Sequence, residues 1–552
     1  MISNTRYWLL ISLIIGVYII GMFAPLFEND SAQFAVMAMR MVQENDFLHL
    51  FKGPQEYLDK PHMHYWLAAL SFKIFGIHDW AYRVPAILSS FLAAYSCWGL
   101  GKLLYNNTVG KLAALIFLSA QTIVLANIDV RTDAVLTGFA SLAIWQLAVY
   151  IKTRNLLPIL IGAVAAGIAF STKGQIALLV IGFPLLCHIW YTKQWKAFAH
   201  WKVLVALAVF ALTIVPMLYA YYIQFDLHPE KIIRGKGNRT GLFFIFWEQS
   251  FERLSGKGVG KNSNDYFFFF HTFLWVFLPW SFIAIAGYWT SLKSLVFKRL
   301  PKQAPNELLT LGGISLIFLI ISFAQFKLPH YLNITIPLFS VLTAGYLYKL
   351  HHSNAIKTIR RVLIAQHIIL GVVFVAVALI CFFVFKIMGI YAVGAFIFIL
   401  LICVVFCLKL DAPFKRLISI SVCASVLLNF VLNAHFYPSL LQYEGGYTMA
   451  KEIKMANIPV NNIYKLSDAH TWALDFYNKK PVRITSIAVL PLLQQPWLYV
   501  TANELNSLKD LGYDWNRRYV VDQFRISRLQ GRFLNPASRK KVVNQMYLVH
   551  LK

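Results

Sequence analysis

Apolar residues run along this chain in long blocks divided by short polar breaks. Blocks long enough to cross ~30 Å of hydrocarbon as helices fall near residues 7–26, 83–105, 109–127, 134–151, 156–172, 175–191 and 203–223. More follow near 266–290, 308–325, 331–349, 362–386, 388–408 and 416–435. The pattern predicts an α-helical polytopic membrane protein of about 13 transmembrane helices. Two of the breaks are very short, at Lys173-Gly174 and around Gly389. The first block lacks a small-residue cleavage site and reads as a retained span.

Three stretches depart from this pattern. In 28–82, "SAQFAVMAMRMVQEN" repeats apolar positions at three- and four-residue intervals, which predicts an amphipathic helix lying along the membrane interface. "HMHYWLAALSFKIFG" is apolar but short, and predicts a second interfacial or re-entrant helix. Residues 224–265 are basic and glycine-bearing ("RGKGNRTG", "SGKGVGKNSND"). They read equally as a lid over a phosphate-containing ligand or as a plain disordered loop. From 436 short β-rich runs alternate with helical ones, which predicts a small α/β domain. The expected organisation is a membrane domain over 1–435 and an extracytoplasmic α/β domain over 436–552. That domain carries no glycine-rich nucleotide fingerprint, no Ser-His-Asp-like set and no metal signature.

Charge orients the chain. With the amino terminus inside, every inner connection, such as "YTKQWKAFAHWK" or "SLKSLVFKRLPKQ", carries at least two Lys or Arg, as the positive-inside rule requires. The acids then sort themselves: before residue 436 only Glu307 and Asp411 fall inside. Asp30, Asp46, Asp59, Asp79, Asp129, Asp133, Asp226, Glu248, Glu252 and Asp265 fall outside. This predicts an outward-facing polar site. The net charge of +27 on a chain that is 58% hydrophobic points to anionic lipids and phosphate-bearing substrates, and away from nucleic acid. All six cysteines lie in apolar runs without ligand spacing, and read as small core residues.

Asp30 ends the first span where its carboxylate can serve as a base toward a hydroxyl; it can equally cap the helix opening with "DSAQ". Asp59-Lys60-Pro61 pairs a carboxylate with a potential phosphate ligand on a stiffened backbone. "NIDVRTD" adds Arg131 and Asp133, the latter also a candidate cap. "QFKLPHY" brings Lys327 and His330 to the outer end of another span.

The ordered set of motifs resembles the GT-C glycosyltransferases, in their bacterial branch of protein O-mannosyltransferase-like and lipid A aminoarabinose transferase-like enzymes. The resemblance is carried by Asp30-Ser31, by "DKPHMHYW" (Asp59, Lys60, Pro61, Tyr65, Trp66), and by "RVP" at Arg83. Further along come Arg131 with Asp133, Thr172-Lys173-Gly174, Pro279-Trp280, and Lys327-x-Pro329-x-Tyr331. These span about residues 1–350. Two positions depart from the family pattern: His62 replaces a second proline, and His330 replaces a tyrosine.

The resemblance implies a bacterial inner-membrane enzyme with an extracytoplasmic active face. It implies a sugar taken from a polyprenyl-phosphate donor and given to an outer-face lipid, glycan or protein, with inversion. By the same resemblance Asp30 is the catalytic residue. Lys60, Arg83, Arg131 and Lys327 bind the donor phosphate, and Asp59, Asp133, Tyr65, His330 and Tyr331 support the pocket. A divalent metal at Asp59 is also implied, together with a histidine of the second outer loop. Only His228, near that loop's start, and His271, in the next span, are at hand. Two other classes remain open: a multi-span lipid or sugar transporter, and a non-catalytic envelope-assembly scaffold. A labelled lipid-linked sugar separates them, because an enzyme consumes it, a transporter moves it and a scaffold does neither.

Overall fold

Helices occupy the apolar blocks, and the deviations lie where a span is broken. The structure is a computed structural model, and it describes residues 3–255, 265–296, 307–387, 389, 393, 394, 397, 400, 401, 412–467 and 470–552. The first ten helices are α1 (Asn4–Met22), α2 (Asp30–Glu44), α3 (Met63–Phe75), α4 (Asp79–Leu104) and α5 (Asn107–Leu118), then α6 (Gln121–Ala126), α7 (Thr132–Thr153), α8 (Leu156–Lys173), α9 (Ile176–Thr192) and α10 (Trp201–Tyr221). Helices Phe268–Val276, Ser281–Val296, Leu309–Phe323, Ile336–His352, Ile356–Leu379 and Pro413–Val431 complete the membrane domain among the described residues.

Seven described helical stretches are long and apolar enough to cross a membrane unaided. Two of the other blocks are interrupted. The predicted span 109–127 breaks between α5 and α6, and 266–290 breaks at Leu278-Pro279. The two breaks meet: the Gln121 N–H donates to the Leu278 carbonyl at 3.0 Å, and Trp280 Nε1 donates to Ser119 Oγ at 2.9 Å. Backbone freed by one broken helix is thus satisfied by the other, as a low-dielectric interior demands. The predicted span at 388–408 lies outside the described residues. Its flanks stand at opposite ends of helix Pro413–Val431: His435 lies 2.6 Å from the Phe385 carbonyl, whereas Phe414 stacks on His351 at 4.6 Å.

Two local devices fix the helices around the site. Pro85, inside α4, removes the N–H that would bond the carbonyl four residues back. Ser71 of α3 donates its hydroxyl to that carbonyl, Ala81 O, at 2.6 Å. Gly138 lets α7 close on α4, since a Cβ there would lie 2.6 Å from the Ser89 carbonyl oxygen.

The α/β domain forms as its alternating pattern predicts, but it starts later. Helical turns continue to Tyr443, and the first domain helix is Gly445–Met455, so the boundary lies near 444 rather than 436. After the short hairpin β1 (Phe51–Lys52) and β2 (Gln55–Glu56) come β3 (Ile463–Lys465), β4 (Arg483–Ile484), β5 (Trp497–Thr501), β6 (Trp515–Gln523) and β7 (Asn544–Leu551). The last five form one sheet in the order β4-β3-β5-β7-β6. β3 pairs in parallel with β4 and β5, and β7 pairs antiparallel with β5 and β6. Met449, Ile453 and Leu474 cover one face, and Leu505 and Leu508 cover the other.

This domain sits on the first long connection, which corrects the expectation for α2. Instead of lying along the interface, α2 is buried from Ser31 through Met39. It packs between α3 and the domain helix Trp472–Tyr477. Its apolar face meets protein on both sides, whereas α3 leaves Leu70 and Ile74 exposed. The second long connection is not a disordered loop where it is described. Residues 241–255 form helical turns, and a bridge pairs Ile233 with Lys236. The remainder, 256–264, lies outside the described residues.

Candidate active site

Seven of the residues singled out from sequence converge on one cavity of about 170 Å³: Asp30, Asp59, Lys60, Arg131, Asp133, His330 and Tyr331. Helix termini bring them together. Asn29, at φ 69°, turns the chain and leaves Asp30 as the first residue of α2. Asn29 therefore occupies the cap position, and the capping role expected of Asp30 falls away. The Asp30 carboxylate instead takes a hydrogen bond from Arg131, with Nη1 2.9 Å from Oδ2. Arg131 immediately precedes α7 and also holds Asp129 through Nε and Nη2 at 3.1 and 2.9 Å.

Asp133 lies in the first turn of α7 and is buried. It does not cap that helix; the side chain meets Lys173, with Nζ 2.5 Å from Oδ1. A carboxylate at a helix start and an ammonium at a helix end each complement the local dipole. His330 Nε2 stands 3.7 Å from Asp133 Oδ2, and its Nδ1 is 3.4 Å from Arg131 Nη1. Burial pushes the His330 imidazole well below its ordinary value, against the pull of Asp133, and keeps it neutral. The Lys173 ammonium also lies 4.8 Å from the Tyr331 ring centroid.

An apolar groove adjoins this cavity. Lys60, Lys173, Phe326 and Tyr331 line both. Beyond that seam the groove is walled by Leu136, Ile176, Leu179, Ile320 and Ile334 and closed by Gln249 and Ser250 of the second connection. The connection is held down by ions and amides. Arg234 Nη1 bridges Asp59 Oδ1 at 3.0 Å and Glu252 Oε2 at 2.9 Å, and Gln249 Nε2 donates to the Asp59 carbonyl at 2.7 Å. Arg239 binds Glu248 and Glu252.

Three expected site residues point elsewhere. Arg83 is wholly buried and donates to the carbonyls of Met22, Ala24, Pro25 and Ile128 at 2.5–3.0 Å. It closes the carboxy-terminal end of α1 and does not line the cavity. Lys327 is buried and donates to the Asp265 carbonyl at 2.6 Å, its ammonium 5.0 Å from the Tyr266 ring. Tyr65 is enclosed by the rings of Phe34, Tyr57 and His64, and it is Tyr57 that reaches the cavity. The structure adds Lys173 and Gln249, and it brings in Arg234, which the basic second connection offers from sequence only as a fallback phosphate ligand. Lys173 carries a sequence signal as part of the Thr172-Lys173-Gly174 motif between two apolar runs, without a chemical role attached to it.

Asp59 is engaged by Arg234, and among the described residues no group of three His, Cys, Asp or Glu side chains converges as a metal site. His228 pairs with Glu230 and His271 with Asp265. The donor set around Asp59 does not fit the implied metal.

Residues 59–219 match the family model described as dolichyl-phosphate-mannose-protein mannosyltransferase. The chain is 26% identical over 313 residues to undecaprenyl phosphate-alpha-4-amino-4-deoxy-L-arabinose arabinosyl transferase 2 of Proteus mirabilis, covering 56% of this chain and 53% of that protein. It is 24% identical over 331 residues to the corresponding transferase of Yersinia pestis strain Pestoides F, covering 58% and 55%. The matched region is thus about half the length of these relatives. In fold the likeness extends over nearly the whole chain. ArnT from Cupriavidus metallidurans bound to undecaprenyl phosphate superposes with a TM-score of 0.76 at 16% identity, over 99% of this chain and 98% of that one. Its apo form gives 0.74. The chain is a multi-pass membrane protein with the fold of ArnT.

Proposed function

We propose that the protein is a membrane glycosyltransferase that moves a sugar from a polyprenyl-phosphate donor to an acceptor on the extracytoplasmic face of the bacterial inner membrane. The observation that carries this reading is the seam at Lys60 and Lys173, where a charged cavity opens into an apolar groove. An amphipathic donor has those two parts: a phosphosugar head needing cations and hydroxyl acceptors, and a long apolar tail. The names of the relatives, both undecaprenyl-phosphate sugar transferases, and of the ArnT structure bound to undecaprenyl phosphate support the same donor class.

The acceptor attacks the anomeric carbon from the side opposite the phosphate. The new bond to that carbon forms as its bond to the phosphate oxygen breaks, the configuration inverts, and polyprenyl phosphate leaves. Lys60 and Lys173 stand where the departing phosphate gathers charge, which is where fixed cations accelerate such a step. When the acceptor is a hydroxyl, Asp30 takes its proton. Arg131 aims the Asp30 carboxylate through its 2.9 Å hydrogen bond and so spends no reorganisation at the moment of transfer. When the acceptor is already a phosphate, no base is needed and Asp30 orients it. Neutral His330 beside Asp133 is suited to hydrogen-bond a sugar hydroxyl.

The test is mass spectrometry of envelope glycolipids and glycoproteins from a deletion strain carrying either the native gene or the Asp30→Asn form. One sugar adduct should appear with the native gene only. Identical spectra from the two strains would overturn the reading.

A further inference from the structure

The acid-rich cavity and its adjoining groove use one end of α7, α8 and α9. A second groove, of about 430 Å³, opens at their opposite ends. It is lined by Tyr150 near the end of α7, Ile159 at the start of α8, Gly182 and Leu185 of α9, and Phe198 and Val203 around the start of α10. Leu178, Leu186 and Leu207 on its wall are 41%, 46% and 59% exposed, so the groove opens toward the hydrocarbon.

The lining itself is apolar, and cations adjoin it in the chain, Arg154 four residues after Tyr150 and Lys202 directly before Val203. Arg154 closes α7 in a left-handed conformation, φ 60°, with its guanidinium 5.8 Å from the Tyr150 ring. Arg154 Nη1 is buried with no hydrogen-bond partner among the described residues. Lys202 Nζ donates to the Arg154 carbonyl at 2.7 Å, and Lys193 and Lys196 are exposed nearby in the sequence. Trp195, Phe198 and Trp201, 50%, 50% and 59% exposed, form the kind of aromatic belt that sits at head-group level. From residue 134 to 225 the sequence contains no Asp or Glu, so these cations have no carboxylate in their own stretch. The half-exposed Arg154 guanidinium and the Lys202 ammonium are cationic donors beside an apolar groove, and the ligand chemistry that complements both is a phosphate whose own tail is apolar.

We propose that this groove is a binding site for one anionic diacyl phospholipid of the leaflet on the basic-loop side. Its phosphate lies between Arg154 and Lys202, and an acyl chain lies along Gly182 and Leu185. Basic pockets between spans on that side are chemically suited to anionic head groups. The site is separate from the donor cavity, because no carboxylate stands there to receive sugar hydroxyls.

The experiment is native mass spectrometry of the purified full chain. It is titrated with phosphatidylglycerol, with phosphatidylcholine of the same acyl chains, or with undecaprenyl phosphate. Wild type should retain one phosphatidylglycerol about tenfold more tightly than phosphatidylcholine, because the cations that hold the phosphate repel the choline ammonium of the latter. Arg154→Gln and Lys202→Gln should each remove that preference. Gly182→Leu should weaken both phospholipids, since a Cβ there meets nothing within 4 Å and the leucine fills the groove while leaving the charges alone. Equal retention of the two phospholipids by wild type, or unchanged phosphatidylglycerol binding in all three variants, would refute the proposal. So would displacement of phosphatidylglycerol from this site by undecaprenyl phosphate.

Discussion

Two basic residues of the outer motifs, Lys60 in the first connection and Arg83 at the start of the following span, look alike in the sequence and sit in different surroundings. Arg83 is tied to four backbone carbonyls, and each buried acceptor left without a donor costs about 1–3 kcal/mol. Arg83→Met should therefore lower the thermal midpoint sharply, while the protein that remains folded keeps its affinity for donor. Lys60→Ala should do the reverse, with an unchanged midpoint and donor use at least about tenfold weaker, the scale of a lost charge-assisted contact. Thermal unfolding followed by donor titration on the same samples checks both, with Lys349→Ala, an exposed lysine at the end of helix Ile336–His352, as control. Asp30→Asn should leave stability intact, because Asn29 and not Asp30 holds the cap position, while reducing transfer by about a hundredfold or more, the scale of a lost general base. The motif order made Asp30, Lys60, Asp133 and His330 legible. It misplaced Arg83, Lys327 and Tyr65 because position along a span tells which end a residue occupies and not which way it faces around the helix.

At the scale of elements, the second long connection closes the apolar groove through Arg234, Gln249 and Ser250. Sequence composition could not distinguish this closure from disorder, since the partners Asp59 and Gln175 lie far away in the chain. Arg234→Ala should raise the KM for the lipid-linked donor more than it lowers kcat, which steady-state kinetics would separate. The junction of α2 with the α/β domain has its own signature. The Glu28 carboxylate accepts the N–H groups of Trp472 and Ala473 at 2.8 and 3.1 Å, and the Glu28 N–H donates to Glu444 at 2.7 Å. Burial pushes both carboxyls above their ordinary range. A group that binds its proton more tightly when folded stabilises most below its unfolded pKa, and that contribution is lost as pH rises through the raised one. Thermal midpoints should therefore fall between about pH 5 and 8, and Glu444→Gln should flatten the slope. An unchanged slope in that variant would place the titrating group elsewhere.

Over the whole molecule, period and charge together forecast the architecture well. Among the described residues long apolar blocks became helices, and the short β-rich runs became β3 to β7. What the pattern could not supply was depth: α2 is amphipathic by spacing but buried on both sides, because the α/β domain, more than 400 residues later in the chain, covers its second face. The contacts of Leu26 and Gln43 with Tyr477 and Lys479 place that domain and the Asp30 cavity on one face. A reporter active only outside the cytoplasm, fused after Lys552, should accordingly be on, and a silent one would reverse the orientation drawn from the basic loops.

The most direct measurement follows a radiolabelled sugar on undecaprenyl phosphate, incubated with the purified protein in vesicles bearing envelope lipids. Wild type should transfer label from the lipid phosphate to an acceptor and release undecaprenyl phosphate in equal amount, whereas Asp30→Asn and Lys60→Ala should leave the donor largely intact. Donor that crosses the bilayer unconsumed, or that is consumed equally by wild type and both variants, would contradict the assignment of this cavity as the site of glycosyl transfer.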